Sequence, residues 1–212
     1  MIKIGVTGGI GCGKSTVCRL FQQKGVAIYD SDHEAKRLMT EDEALRRQLI
    51  ETFGADIYIG EQLDRKALAS RVFGCEAALK QLNAMVHPVV RADFRRWSSA
   101  QTSDYVVLES AILFDAGFED EVDHTIAVMA PVSLRVDRAA RRDHCPQEQI
   151  RKRIEVQMSD DELRERAEFA VVNILESDLA AAVDYFDGVF RHEAILAKEQ
   201  EALAQDEDSK EA

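Results

Sequence analysis

Lys14 and Ser15 directly follow a run of glycines, Gly8-Gly9-Ile10-Gly11-Cys12-Gly13-Lys14-Ser15-Thr16, which fits the spacing G-x-x-x-x-G-K-S/T. Glycines at these places let the backbone curl with successive N–H groups turned inward, a concavity that binds phosphate oxygens. Gly9, Gly11, Cys12 and Gly13 supply that backbone, and Lys14 adds a full positive charge for the outer phosphates of a nucleoside triphosphate. The Ser15 hydroxyl is a ligand for Mg²⁺, and Thr16 donates to an outer phosphate from its backbone or side chain. A turn that merely joined strand to helix would have no need of Lys and Ser directly after the last glycine.

Carboxylates and arginines recur where such a site would need them. Asp30-Ser31-Asp32 follows an apolar strand, and of the two aspartates one is read as the cap of the next helix and the other as chemical. Glu109 ends a second apolar run, Tyr105 to Leu108, the position of an acid that holds Mg²⁺ opposite Ser15. Arg135, Arg138, Arg141 and Arg142 spread round more than one face of a helix, with Arg138 and Arg142 sharing one. A second charged helix follows, with Arg151, Lys152, Arg153 and Gln157, and the pair reads as a lid over a triphosphate.

The elements that must position these groups alternate. Apolar runs at 2–7, 25–29, 105–109, 124–129 and 168–172 predict five strands, with amphipathic helices between them. The expected fold is α/β, a three-layer sandwich of the P-loop NTPase type with a five-stranded parallel sheet, a helical substrate-binding insert and an arginine-bearing lid. One domain spans 1–212: core about 1–40, 102–135 and 166–200, insert about 41–101, lid about 136–165, and a disordered acidic tail about 203–212. Within the insert, helices are predicted over 44–53, 64–73, 76–85 and 87–98, with Asp64 as an N-cap and Pro88 in a first turn. His87 reads equally as a structural histidine.

Composition narrows the function class. The 212 residues are 46% hydrophobic and 31% charged, ordinary for a soluble globular domain. No apolar run approaches the ~18 residues needed to span a bilayer. The first residues already read as strand, leaving no signal peptide, so a cytoplasmic protein is expected. A net charge of −12 argues against nucleic acid as the main partner. The four cysteines, Cys12, Cys18, Cys75 and Cys145, lack metal-ligand spacing and read as reduced thiols. The guanine-reading Asn-Lys-x-Asp of GTPases is absent, since neither Asn83 nor Asn173 precedes a lysine.

The blocks G-V-T-G-G-I-G-C-G-K-S-T-V, I-Y-D-S-D-H-E-A-K-R, L-D-R-K-A-L, L-N-A-M-V-H-P, I-L-F-D and R-I-E-V-Q-M, in that order, resemble the dephospho-CoA kinases over about residues 1–175. The resemblance implies ATP and dephospho-CoA as substrates, phosphorylation of a ribose 3′-hydroxyl, and Mg²⁺ as cofactor. It implies Asp32 as the carboxylate that orients the acceptor hydroxyl, with Asp30 supporting it or holding metal beside Ser15 and Glu109. Lys14, Arg138 and Arg142 are the implied catalytic cations. Arg65, His87 and Leu113 are implied on the acceptor, and Asn173 near adenine. The chain departs from the family at Ala111-Ile112-Leu113-Phe114-Asp115, where Pro-Leu-Leu-Phe-Glu is usual, at Cys12 and at Ile174. The readings left beside this one are a nucleoside or nucleotide monophosphate kinase of the same fold and a non-catalytic ATP-binding regulator. Oligomeric state is not legible in the sequence.

Overall fold

The computed structural model describes the backbone of residues 1–211, with side chains outside 176, 177, 201 and 204–211. In chain order the elements are β1 (Ile2–Thr7), α1 (Lys14–Gln23), β2 (Ala27–Asp30), α2 (Ser31–Glu41), α3 (Glu43–Phe53), β3 (Tyr58–Ile59), β4 (Gln62–Leu63), α4 (Arg65–Val72) and α5 (Glu76–Ser99). There follow β5 (Tyr105–Glu109), β6 (His124–Met129), α6 (Val132–Asp143), α7 (Gln147–Glu155), α8 (Asp160–Arg166), β7 (Phe169–Val172) and α9 (Glu176–Glu211). The expected disordered tail falls on the end of α9 and on Ala212, where the side chains beyond 203 lie outside the described residues.

Two compact units emerge, one of Met1–Tyr29 with Ser99–Ala212, the other Asp30–Ser98. The second begins at the turn into α2, earlier than the insert boundary of 41 read from the sequence.

The five-stranded sheet has the order β2-β5-β1-β6-β7, with β1 parallel to both β5 and β6, and β6 parallel to β7. Strands covered on both faces need apolar residues at consecutive positions, and Val106, Val107 and Leu108 are all fully buried. On one face Ile4, Val6, Val107, Ile126 and Val128 pack with Val17 and Phe21 of α1 and Leu179, Val183, Phe186 and Phe190 of α9. Burying each large apolar side chain contributes roughly 1.5–3 kcal/mol relative to leaving it exposed. Register brings Val6 opposite Glu109 on one side and Ile126 on the other, so the loop after β1 leaves from the middle of the sheet beside the last residue of β5.

In the second unit Asp42 caps α3 by accepting from the Leu45 amide, and Asp64 caps α4 by accepting from Lys66 and Ala67. The Tyr58 hydroxyl donates to the Met39 carbonyl at 2.6 Å, fixing the β3–β4 hairpin on the end of α2. Two expectations change here. The helices predicted at 76–85 and 87–98 are one 24-residue helix, α5, with Pro88 inside it rather than in a first turn. Pro88 removes one backbone donor, yet Val86, Val90 and Phe94, four residues apart and buried, hold the helix on a single continuous stripe. The hairpin and α8 were not foreseen. For α8 the signal was present: Ser159 and Glu162 form a reciprocal capping box. No helix among the described residues is long and apolar enough to cross a membrane.

Candidate active site

The loop from Gly8 to Gly13 joins β1 to α1, and its geometry suits an anion. Gly13, at φ 102°, is the N-cap of α1; no side chain caps that end and no acid occupies the first turn. The helix's first N–H groups are therefore available, and the positive end of its dipole faces the same space. A Cβ on Gly13 would lie 2.1 Å from Asn173 Nδ2, so only glycine lets Asn173 approach. Asn173, 5% exposed, donates its side-chain amide to the Cys12 carbonyl at 2.8 Å and its backbone N–H to Met129 at 2.7 Å. It ties the loop to the end of β6. Cys12 is buried, and burial pushes its thiol pKa up, so it stays protonated and small.

Lys14, Ser15 and Thr16 each find a partner close to the loop. Lys14 Nζ donates to the Gly8 carbonyl at 2.8 Å, spanning the loop. Ser15 Oγ donates to Glu109 Oε1 at 2.8 Å. Thr16 begins the helical ladder, its N–H bonding to the Gly13 carbonyl at 3.0 Å. A hydroxyl and a carboxylate side by side are hard oxygen donors, and such a pair suits Mg²⁺, which binds one or two protein oxygens and completes its shell with phosphates and water. No cluster of three His, Cys, Asp or Glu residues able to hold a metal occurs among the described residues.

Arg138 donates to the carbonyls of Asn173 at 3.2 Å and Ile174 at 3.4 Å, bracing the segment after β7. Arg142 is paired with its neighbour Asp143 at 2.8 Å and its side chain is 63% exposed. Arg142 and then Arg153 hold the Asp143 carboxyl below the usual carboxylate range. Arg135, singled out in the sequence only as one of four, is instead the buried one: 2% exposed, bonded to the Ile10 carbonyl at 3.1 Å and to Asp160 at 2.7 Å. Gln157 reaches the same loop residue and accepts from the Ile10 N–H at 2.8 Å. Arg135 Nη2 and Thr7 Oγ1 are buried without a hydrogen-bond partner among the described residues. Helical spacing distinguishes faces but not which face the loop will cover, and so nothing in the sequence sets Arg135 apart from the other three arginines.

The remaining candidates, Leu113 apart, belong to the second unit. Asp30 accepts from the His33 N–H at 3.0 Å and is the N-cap of α2, which decides which aspartate caps; Asp32, in the first turn, is exposed. Arg65 opens α4 and is exposed. His87 is half-buried in α5; burial, with Arg91 adding to it, lowers its pKa and favours the neutral imidazole. Leu113 requires a correction. It is fully buried, and a Cβ on Gly5 would meet its Cδ1 at 2.5 Å, so Leu113 is a core residue packed against β1 and has no surface to offer an acceptor.

A glycine-lined loop leaving the central strand of a parallel sheet, followed by Lys and Ser, with an acid from the neighbouring strand hydrogen-bonded to that Ser, defines the P-loop kinase type of α/β protein. Comparison with known proteins narrows this. The dephospho-CoA kinase family model matches residues 2–178, and the chain belongs to that family. It is 45% identical over 179 residues to a dephospho-CoA kinase of Bacteroides fragilis, covering 84% of this chain and 87% of that one. With the Salinibacter ruber dephospho-CoA kinase it shares 41% over 182 residues, 84% of this chain and 89% of the other. Among solved structures, TT1252 from Thermus thermophilus superposes with a TM-score of 0.74 at 34% identity, over 93% of this chain and 97% of that chain.

Proposed function

We propose that the chain transfers the γ-phosphoryl group of ATP to the ribose 3′-hydroxyl of dephospho-CoA, giving coenzyme A and ADP. The observation that carries the phosphoryl-transfer half is the Ser15–Glu109 hydrogen bond of 2.8 Å at the mouth of an uncapped helix N-terminus. It sets oxygen donors for a divalent cation beside donors for phosphate. The acceptor half rests on family membership.

In this reading the amides of Gly11, Gly13, Lys14 and Ser15, the Thr16 hydroxyl and the Lys14 ammonium hold the β- and γ-phosphates. Ser15, backed by Glu109, holds Mg²⁺, which when bound offsets charge on the outer phosphates. Asp32, exposed in the turn that follows β2, orients the acceptor hydroxyl and takes its proton as the new O–P bond forms and the bond to the β-phosphate oxygen breaks. Asp30, spent on the helix cap, holds α2 and hence Asp32 in place. Helices α6 to α8 act as the lid, and the exposed guanidinium of Arg142, paired with Asp143, turns from that partner to meet charge developing on the transferred group. Arg138 fixes the backbone of residues 173 and 174, beside which Ile174 and Leu175 are exposed and give adenine an apolar platform. Arg65 supplies a positive charge, and His87 a neutral imidazole, toward the acceptor.

The product assay decides. Protein with Mg²⁺, ATP and dephospho-CoA yields coenzyme A and ADP in equal amounts. Turnover with a nucleoside monophosphate alone, or nucleotide binding without turnover of any acceptor, overturns the reading.

A further inference from the structure

A guanidinium almost wholly removed from water is expensive, and a lone ion pair is seldom reason enough to keep it there, since an apolar side chain of similar volume is often as stabilising. Arg135 is in that situation. Its Nε donates to the Ile10 carbonyl, its Nη1 to Asp160, and its Nη2 has no partner among the described residues. Leaving such a donor unsatisfied is costly.

Its surroundings show what the residue holds. A Cβ on Gly9 would fall 1.9 Å from Nη2, and one on Gly11 would fall 2.3 Å from the Arg135 carbonyl oxygen, so the loop lies flat on the first turn of α6. Gln157 accepts the Ile10 N–H while Arg135 donates to the Ile10 carbonyl. Both polar backbone groups of one loop residue are thus gripped by side chains that arrive after β6. The Ile10 side chain packs with Val136, Ala139 and Ile150.

We propose that Arg135 is a positioning residue for the phosphate loop: with Gln157 it fixes Ile10 before nucleotide arrives, and the Nη2 edge of its guanidinium, behind Gly9 and without a hydrogen-bond partner among the described residues, favours the most highly charged phosphate chain. The inference rests on the nucleotide-binding reading above and adds a residue to it. A guanidinium in a low-dielectric setting acts over several ångströms, so the effect scales with the charge of the ligand.

The test compares the affinities of the full chain for ATP, ADP and AMP, alongside kcat and KM for ATP. Arg135→Gln loses roughly tenfold or more in affinity for ATP and ADP and less than about threefold for AMP, with KM moving more than kcat. Arg135→Lys, which keeps the charge, regains part of the ADP affinity but not that of the wild type. ADP binding within about threefold of wild type in Arg135→Gln, equal losses for ADP and AMP, or a lysine variant no better than glutamine would each overturn the proposal. Should Arg135→Gln not fold, Gln157→Met decides: it removes the acceptor for the Ile10 N–H and is expected to weaken ADP roughly three- to tenfold, while unchanged ADP affinity overturns the proposal. Wild-type protein that binds ADP yet does not phosphorylate dephospho-CoA defeats the proposed function and leaves this inference standing.

Discussion

Asp30 and Asp32 have the same side chain and stand one residue apart, and their surroundings separate them. Asp30 accepts from the His33 N–H, so replacing it would fray the start of α2, whereas Asp32 is exposed and bears no such duty. Asp32→Asn should therefore leave folding and ATP binding nearly unchanged while turnover falls at least about a hundredfold, the scale for loss of a positioned acid–base group. Steady-state rates with dephospho-CoA, set beside ATP affinity, check this. Glu109 accepts from Ser15, the proposed metal ligand, and so its loss should appear first in metal dependence. Glu109→Gln is expected to raise the Mg²⁺ concentration for half-maximal rate by roughly ten- to a hundredfold, read from a metal titration at saturating ATP.

Between elements, the phosphate loop is held from behind as much as it is built from glycine. Asn173 links the end of β7 to Cys12 and, through its own N–H, to the end of β6. Asn173→Ala strands the Cys12 carbonyl in a buried place, and a loss of roughly 1–3 kcal/mol in urea unfolding is expected together with weaker ATP binding. The sequence made the front of this site legible, because Lys14, Ser15 and the glycines follow a local spacing that chemistry dictates. The back was not legible. Arg135 and Asn173 find the loop only through tertiary packing, 125 and 161 residues away along the chain. Leu113 failed for the same reason: an apolar residue beside a site and one beneath a strand look alike in sequence, and Gly5 makes room for the second. Pro88 shows the converse, a strong local signal overruled by a buried stripe on α5. The five strands of the parallel sheet and the Asp64 cap, which depend on neighbours in sequence, could be read directly.

Across the molecule, β6 begins at His124, whose ring nitrogens face Glu168 at 2.7 Å and Glu193 at 2.9 Å, joining the sheet to α9 at the edge away from the loop. Burial pulls the imidazole pKa down, but the bonds with Glu193 and then Glu168 outweigh it, and the net shift is upward from 6.5. A raised folded-state value means that this contribution to stability is fully present below the unfolded pKa and is lost as pH rises through the folded one. Melting temperature should fall over that window in the wild type and fall less in His124→Gln, with activity per folded molecule unaffected. The thiols divide along another line. Cys12 and Cys18 are buried, while Cys75 is exposed and Cys145 partly so, and these two stand in different compact units. Mild maleimide treatment would therefore attach one dye to each unit and leave the nucleotide cradle unlabelled. The native chain carries its own attachment points for an energy-transfer ruler, one in each compact unit, with no cysteine engineered in or out.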